Sequence, residues 1–486
     1  MVDLSKIKII TIAGLVTLLL SSCTTDSPVD AKLNDTNIPV AVSSPPIEDV
    51  LPVPSASQLE WQEAELVMFL HYGMNTMRRT DLGTGQEHPS EFNPEVVNVK
   101  QWVKVAKDAG FKYLILTAKH HDGFCLWPSE FTTHSIKNSP YKGGKGDILK
   151  ELADECKEQG LKFGFYISVW DMNSPYYGTP EYNNYYRNQL KEVCSRYSDI
   201  GEIWLDGYLG KNPVMTHPQI DWLTFVQITK WLQPSSLMAI MGPDIRWVGN
   251  EDGYGTETDW SFDWSHPAFH GISNVQVWWP TECDVSIRPL WFYNEAENSQ
   301  VKTPKYLANL YLKSVGRNSN LLLNVPPTPE GVIHEIDESY LRTWRKILDN
   351  MFERDLLLNM ESYADNIRNN DTLYSPGMAV DNNKATFWAV DPDRRSGELI
   401  VDIVPTRKIN IFRIEEPIKF GQRVKEFEIW GYSNNQWIKL TQGTTIGRSR
   451  ILQLDTPLYV SKVKLVIKDA RGAPAIRSFN AYFYEL

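Results

Sequence analysis

Between about residues 59 and 355, short apolar runs alternate regularly with helix-length amphipathic segments. Runs of about four to eight apolar residues are typical of buried strands, whereas apolar residues three and four apart are typical of helices. Val99, Trp102, Val103 and Ala106, for example, fall on one face of a helix. Alternation over this length predicts a parallel sheet, because each crossover helix returns the chain to the same end of the sheet.

The alternation predicts a series of strands and helices along the chain. Strands are expected at 67–71, 113–117, 161–168, 203–206, 237–241 and 321–325, and helices at 99–109, 148–159, 181–197, 219–232 and 335–352. Such a sheet either stays open with helices on both faces or closes into a (β/α)8 barrel. A G-x-G-x-x-G motif after the first strand would favour a nucleotide-binding open sheet, and the sequence has none there.

Polar side chains collect at the ends of four predicted strands. His71 ends the first strand, His120 and His121 follow the second, Asp171 follows the third, and Asp206 ends the fourth. Barrel enzymes build their active sites from residues at the C-terminal ends of their strands. The pattern therefore favours the (β/α)8 barrel, with residues 59–355 as the catalytic domain.

Hydrophobic periodicity changes to two after Arg354. Val463, Leu465 and Ile467 alternate with lysines, and turn residues separate the runs. Strict alternation predicts half-buried strands. Residues 356–486 are therefore predicted to form a β-sandwich.

The N-terminus has the pattern of a targeting segment. Lys6 and Lys8 precede an apolar run at 9–20, which is too short to span a membrane, and Leu20-Ser21-Ser22-Cys23 follows. This predicts a bacterial lipoprotein signal at 1–22 and a lipidated Cys23; an ordinary secretory signal is the alternative. Residues 23–58, rich in Ser, Pro, Thr and Asp, are predicted to be a flexible tether. The expected product is a secreted lipoprotein, periplasmic or at the cell surface, that meets the membrane only through its anchor.

Charge and aromatic content narrow the class of ligand. The 486 residues include 60 acidic and 49 basic side chains, a net charge of −11, which argues against a nucleic-acid partner. The 17 Trp and 22 Tyr exceed the needs of a core. Such side chains suit ligands with flat apolar faces and polar edges, of which sugars are the commonest.

Metal and thiol chemistry are poorly supported. His120 and His121 are adjacent, and neighbours on a strand point to opposite faces, so we expect no catalytic metal or other cofactor. Hydrogen bonds from these histidines to substrate hydroxyls fit better. The remaining cysteines match no zinc pattern and are predicted to be buried free thiols: Cys125, Cys156, Cys194 and Cys283.

Carboxylates are the better candidates for chemistry. Asp206 caps the apolar run Ile203-Trp204-Leu205 and precedes Gly207, which lets the chain turn away. A carboxylate there points into a barrel mouth, and glycoside hydrolysis needs such a group plus a second carboxyl as proton donor. The donor candidates in later loops are Glu251, Glu257, Glu282, Glu295 and Glu297.

Six motifs together resemble the α-L-fucosidases of glycoside hydrolase family 29, and the resemblance covers about residues 59–355. The motifs are His71-Tyr72-Gly73, Lys119-His120-His121-Asp122-Gly123-Phe124-Cys125-Leu126-Trp127-Pro128-Ser129, Trp170-Asp171, Trp204-Leu205-Asp206-Gly207, Val285-Ser286-Ile287-Arg288-Pro289 and Asn320-Leu321-Leu322-Leu323-Asn324. The stretch 249–253 resembles the subfamily that favours α-1,3/1,4-linked fucose. The C-terminal portion is similar to discoidin-like, galactose-binding sandwiches, through Asp381-Asn382-Asn383 and Thr386-Phe387-Trp388.

The resemblance implies a role for each matching residue. Asp206 would be the nucleophile and Glu251 the acid/base of a retaining reaction, with the two carboxyls about 5–5.5 Å apart. The remaining residues would bind a terminal α-L-fucose on a fucosylated oligosaccharide or glycoconjugate: His71, Asp81, His120, His121, Trp127, Tyr166, Trp204, Arg246 and Trp291. Separately, the sandwich could hold a structural calcium ion.

One departure from the family pattern bears on specificity. Asp81 and Leu82 stand where the family usually has Glu-Trp, and Leu cannot stack on a sugar ring. This suggests a shifted preference, towards a relative such as α-L-galactose or an unusual aglycone. The alternatives left open are a hydrolase for such a related α-L-glycoside, a metal-dependent hydrolase and a non-catalytic glycan-binding lipoprotein. The sandwich could bind glycans or only brace the barrel.

Overall fold

The computed structural model describes residues 42–211 and 213–486. The predicted signal at 1–22 and Cys23 lie outside the described residues. Eight parallel strands form one sheet: β1 Leu66–Leu70, β2 Tyr113–Lys119, β3 Lys162–Ser168, β4 Ile200–Asp206, β5 Leu237–Ile240, β6 Arg246–Trp247, β9 Thr281–Ser286 and β10 Asn320–Asn324. Their order is β5-β4-β3-β2-β1-β10-β9-β6, and a bridge between Ala239 and Ile245 nearly closes the ring. The predicted barrel is confirmed.

Helices connect most of these strands. They are α1 Ala56–Ala64, α2 Met74–Arg78, α3 Val99–Asp108, α4 Ile148–Gln159, α5 Tyr182–Arg196, α6 Trp222–Leu232, α7 Pro267–His270, α8 Pro304–Lys313 and α9 Glu335–Phe352. Two connections depart from the β-α repeat. The chain passes from β5 to β6 through five residues, 241–245, and a hairpin of β7 Phe262–Trp264 and β8 Gln276–Trp278 precedes β9.

Local signals in the sequence explain the helix ends. The Asn98 and Asp147 side chains accept the amides of Gln101 and Lys150 and so begin α3 and α4. Gly160 ends α4 with a φ of 75°, a left-handed conformation that glycine adopts without steric cost. The structure places α4 and α9 at the residues that hydrophobic periodicity predicts.

The C-terminal domain is antiparallel, as the alternation of apolar residues predicts. Its strands are β11 Ser362–Ala364, β12 Trp388–Ala389, β13 Gly397–Glu415, β14 Val424–Ser433, β15 Gln436–Gly443, β16 Arg450–Ala470, β17 Ala475–Ile476 and β18 Ser478–Tyr482. Val463, Leu465 and Ile467 are buried in its core together with Trp388. Trp388 is thus a core residue.

The predicted flexible tether is wrong for residues 42–58. Ser44 donates its hydroxyl to the Leu373 carbonyl at 2.7 Å, and the Val50 amide donates to the Phe420 carbonyl at 2.9 Å. Ile47 is buried in a small apolar cluster of the C-terminal domain. A segment rich in Ser and Pro can still be ordered when its backbone polar groups find partners on a neighbouring domain.

A network of largely buried ion pairs joins the barrel to the C-terminal domain. Glu65, directly before β1, accepts Arg413 and Arg448 of the C-terminal domain. Glu415 pairs with the same two arginines and with Arg477. Burial raises the pKa of Glu65, but the two arginines outweigh burial and bring it to about 2. Charged groups therefore help to hold the two domains together, and removing one of them would leave its buried partners without a counter-charge.

The four described cysteines are buried free thiols, as predicted. Burial raises the pKa of Cys156 and of Cys194 to about 12, so both thiols stay protonated and unreactive. Within the described part of the chain, no helix is long and apolar enough to cross a membrane.

Candidate active site

A cavity of about 1020 Å³ opens at the C-terminal ends of the barrel strands. Most of the predicted site residues line it: His71, Asp81, His120, His121, Tyr166, Trp204, Asp206, Glu251 and Trp291. They come from β3, β4 and the loops after β1, β2, β6 and β9. Because all parallel strands end at the same rim, residues more than 200 positions apart meet there.

Asp206 is held by a donor on each carboxylate oxygen. The Tyr166 hydroxyl donates to Oδ2 at 2.5 Å, and the Tyr208 amide donates to Oδ1 at 2.7 Å. Tyr166 lies on β3, where Ser168 pairs in register with Asp206. Burial and the charge of Asp206 raise the pKa of Tyr166, which stays a hydrogen-bond donor. The carboxylate is therefore oriented before any ligand arrives.

Three imidazoles lie beside this carboxylate, and all are neutral near pH 7. Burial lowers the pKa of His71 to about 3 and also lowers the pKa of His120 and His121. The His120 and His121 rings are 4.1 Å apart, and Nε2 of His121 is 3.8 Å from Oδ2 of Asp206. Neutral rings can donate at one nitrogen and accept at the other.

The surrounding hydrogen bonds determine which nitrogen carries the proton. His71 Nδ1 donates to Oδ1 of Asn324, whose amide nitrogen donates to the Trp291 carbonyl. His121 Nδ1 donates to Ser168 Oγ, since that hydroxyl donates to the Trp170 carbonyl. His71 and His121 therefore keep Nε2 as an acceptor for a ligand hydroxyl.

His120 has the opposite polarity. The Asn75 amide donates to the Asp81 carbonyl at 3.1 Å and to His120 Nδ1 at 3.3 Å. His120 Nδ1 is thus an acceptor, and its Nε2 carries the proton. The three rings therefore offer a ligand two acceptors and one donor at their Nε2 atoms.

Glu251 lies in the loop after β6 and lines the same cavity. Burial, followed by the charge of Asp206, raises the pKa of its carboxyl. A raised pKa favours the protonated form that a general acid needs. Asp206 and Glu251, 45 residues apart in the chain, therefore share one cavity.

The structure assigns Asp81 a role that sequence reasoning missed. Its Oδ1 accepts the backbone amides of Trp291 at 2.9 Å and of Phe292 at 3.1 Å. Asp81 thus anchors the loop that carries Trp291 into the cavity. Leu82 lines the cavity with 42% of its surface exposed. The cavity rim therefore has an aliphatic side chain at position 82.

Two predicted binding residues, Trp127 and Arg246, are not at the cavity. Trp127 is fully buried and donates its indole N–H to Glu192 on α5 at 3.0 Å. The Arg246 guanidinium turns to the Trp279 carbonyl and the buried Asp259. Proximity in sequence to a motif does not fix the direction of a side chain, because successive strand residues face opposite sides.

The cavity also contains groups that sequence reasoning did not assign. Asp284 on β9 accepts the Trp247 indole at 2.6 Å, and burial raises its pKa to about 8. A carboxylate near the C-terminal end of a barrel strand is the signal that identified Asp206, and it applies to Asp284 as well. An apolar wall completes the cavity: Trp222, Met241, Ala268 and Phe269.

Residues 42–211 and 213–486 contain no group of three or more His, Cys, Asp or Glu side chains arranged to hold a metal ion. The site has instead a barrel mouth with an oriented carboxylate, a second carboxyl of raised pKa, neutral histidines and aromatic walls. These features define the class of glycoside hydrolases.

Comparison with known proteins agrees with this class. The α-L-fucosidase family model matches residues 52–350, and the F5/8 type C domain model matches 362–479. Alpha-L-fucosidase 1 of Arabidopsis thaliana is 37% identical over 448 residues, 89% of this chain and 88% of the relative. The chain therefore belongs to the α-L-fucosidase family of glycoside hydrolases and removes α-L-fucose.

Solved structures extend the similarity to the fold. A glycoside hydrolase 29 family member from an unknown rumen bacterium is 37% identical with a TM-score of 0.78, over 90% of this chain and 79% of that one. A GH29 fucosidase of Ruminococcus gnavus in complex with fucose is 28% identical with a TM-score of 0.84, over 92% and 97% of the two chains.

Proposed function

We propose that this fucosidase is a retaining enzyme in which Asp206 is the nucleophile and Glu251 the acid/base. The observation that carries the proposal is the contrast between the two carboxyls in one cavity. Asp206 is oriented by Tyr166 and Tyr208, whereas Glu251 has a raised pKa and a loop position. This division of roles is what double displacement requires.

In the first step, Asp206 attacks the anomeric carbon, and Glu251 donates its proton to the leaving oxygen. The product is a fucosyl-enzyme with inverted configuration. In the second step, Glu251 takes a proton from water, whose oxygen displaces Asp206 and restores the α configuration. The neutral His71, His120 and His121 hold the sugar hydroxyls without adding charge beside the nucleophile.

Azide rescue with analysis of the product anomer tests both assignments. Asp206→Ala should lose activity, and azide should attack the α-fucoside directly to give the β-azide. Glu251→Ala should lose about 10²–10⁴-fold on substrates with poor leaving groups. With a good leaving group, azide should attack its fucosyl-enzyme and give the α-azide.

Glu295→Gln is the matched control, because Glu295 is an exposed acid from the same set of sequence candidates. It should behave like the unchanged enzyme. Full activity in Asp206→Ala, or the same azide anomer from both variants, would contradict the assignment.

We further propose that Leu82 lets the enzyme accept α-L-galactosides as well as α-L-fucosides. The proposed natural substrate is a glycan that carries α-1,3/1,4-linked fucose. Asp81 is engaged by the Trp291 loop, and Leu82 is exposed at the rim, so a sugar meets less polar and aromatic surface there. α-L-Galactose differs from α-L-fucose by one hydroxyl at C6. The Leu82→Trp variant should lower the ratio of galactoside to fucoside turnover on p-nitrophenyl substrates; turnover of the fucoside alone by the unchanged enzyme would refute the idea.

A structural calcium ion in the C-terminal domain is a further proposal. Asp381 Oδ2 and the Asn383 carbonyl oxygen lie 2.7 and 2.8 Å from Thr386 Oγ1, so three oxygens of the kind that Ca²⁺ prefers converge in one turn. Chelation should lower the thermal midpoint, and added Ca²⁺ should restore it. An Asp381→Ala variant should not respond to chelator, and an equal response of both proteins would contradict the site.

The lipid anchor at Cys23 is proposed from the sequence motif. Radiolabelled palmitate should label the protein in bacterial cells and should not label a Cys23→Ser variant. Labelling of that variant would exclude Cys23 as the acceptor.

A further inference from the structure

Two glutamates with no salt-bridge partner are buried inside the barrel, below the cavity. Glu202 on β4 is 0% exposed and Glu282 on β9 is 1% exposed. Among the residues that the structure describes, no lysine, arginine or histidine lies within 4.0 Å of either carboxyl. A buried carboxylate without a cation is costly, so something else must stabilise this pair.

Each glutamate holds one tryptophan. The Trp61 indole donates to Oε2 of Glu202 at 2.8 Å, and the Trp204 indole donates to Oε2 of Glu282 at 2.9 Å. The other oxygen, Oε1, has no donor from the protein in either residue. Glu202 and Trp204 are two positions apart on β4, so both side chains point into the barrel, where Trp204 donates to Glu282. Each carboxyl also shifts the pKa of the other, as expected for neighbouring acids that hydrogen-bond. One proton between them would satisfy both orphan oxygens.

We propose that Glu202 and Glu282 share a proton and act together as positioning residues for the nucleophile. Trp204, held by Glu282, stacks on Tyr166 with ring centroids 5.7 Å apart and an interplanar angle of 26°. Tyr166 in turn donates to Asp206. The pair therefore sets the position of Asp206 through two packed rings, and this part of the inference rests on the proposed role of Asp206.

Burial also favours retention of the proton. It raises the pKa of Glu202 to about 7, and burial followed by the charge of Glu202 raises that of Glu282 further. The titratable neighbours are Tyr113 on β2 and Cys283 and Asp284 on β9, whose pKa values burial also raises. These neighbours are thus mostly uncharged near neutrality and supply no positive charge that would ionise the pair.

Glutamine substitutions test the shared proton, because an amide carries a permanent donor. In Glu282→Gln, the amide N–H can donate to Glu202 while the amide oxygen still accepts Trp204. Glu202→Gln should be equally mild. In the double variant two amide donors face each other, so its thermal midpoint should fall by more than the sum of the single shifts. Additive shifts would overturn the shared proton.

Infrared spectroscopy gives a second readout of the proton. At neutral pH the wild type should absorb more strongly than Glu282→Gln in the carbonyl-stretch band of protonated carboxyls, to which Asp284 contributes in both proteins. Since the folded pair binds a proton that the unfolded chain releases above about pH 4.5, the wild-type midpoint should fall relative to Glu282→Gln as pH rises towards 7. A spectrum unchanged by the substitution would contradict the proposal.

Activity separates positioning from stability. Measured below the midpoint of each protein, Glu282→Ala should lower kcat at least tenfold with a smaller change in KM, and Glu282→Gln should stay within twofold of wild type. A normal kcat in Glu282→Ala would overturn the positioning role. If that variant does not fold, Glu202→Ala, which removes the other carboxyl of the pair and does not line the cavity, serves in its place. If Asp206→Ala keeps full activity, the proposed function fails, whereas the infrared and double-variant results still decide the shared proton.

Discussion

Asp206 depends on two neighbouring donors, of which one is a side chain that can be removed. Tyr166→Phe deletes the hydroxyl that donates to Oδ2 at 2.5 Å and keeps the ring. A hydrogen bond to a charged group contributes about 1.5–3 kcal/mol, so kcat/KM should fall about 10- to 100-fold. Tyr186→Phe is the control, since its hydroxyl donates to the Ile167 carbonyl away from the cavity. Equal activity of both variants would show that the Tyr166 hydroxyl does not contribute to catalysis.

Glu251 should control the alkaline side of the pH profile. Burial and the charge of Asp206 raise its pKa, so its proton is retained above the usual range for glutamate and is lost as pH rises through the raised value. With a poor leaving group, kcat/KM should decline over that step. The Glu251→Gln variant should have a low kcat/KM that does not decline over this pH range. If its kcat/KM still declines at alkaline pH, the decline belongs to another group, such as Asp284.

At the scale of elements, Asp81 joins the loop after β1 to the loop after β9. Its Oδ1 accepts the amides of Trp291 and Phe292. Asp81→Ala should release the Trp291 loop and raise KM for the fucoside, whereas Asp81→Asn keeps an acceptor oxygen and should retain KM near wild type. Steady-state kinetics on both variants decide between the roles: if Asp81 binds the sugar through its charge, Asn will be as harmful as Ala.

At the scale of the whole molecule, the ion pairs between the domains predict acid sensitivity. The folded pKa of Glu65 is about 2, below the usual value of 4.5. A depressed carboxyl stabilises the fold above its unfolded pKa, and this contribution is lost as pH falls from about 4.5 towards 2. The expected loss is about 3 kcal/mol of unfolding free energy.

Denaturant unfolding across this pH range measures the effect. Glu65→Gln should be destabilised at neutral pH and should show a flatter acid profile than wild type. Glu130→Gln is the control, because Glu130 pairs with Lys137 on the surface, where such pairs contribute little. An unchanged acid slope in Glu65→Gln would show that the domains are held by other contacts.

The residues that sequence reasoning located correctly are those that end strands. Four of them line the cavity: His71, His120, His121 and Asp206. Strand-length apolar runs alternate clearly with helical segments in the sequence, so the end of each strand and the polar residue there can be predicted. Trp127 and Arg246 do not reach it, because their directions depend on partners distant in the chain, Glu192 and Asp259. The anchoring role of Asp81 and the ordered conformation of residues 42–58 were not predicted for the same reason: both depend on partners distant in the chain.

The sequence by itself determined the periodicities, and through them the barrel, the antiparallel C-terminal domain and the rim on which the active site is built. It also determined the motifs of the α-L-fucosidase family. Only the tertiary structure decided which carboxyls meet, which become protonated by burial, and which charges join the domains. The physical reason is that periodicity is local, whereas pKa values and hydrogen-bond partners depend on groups brought together from distant parts of the chain.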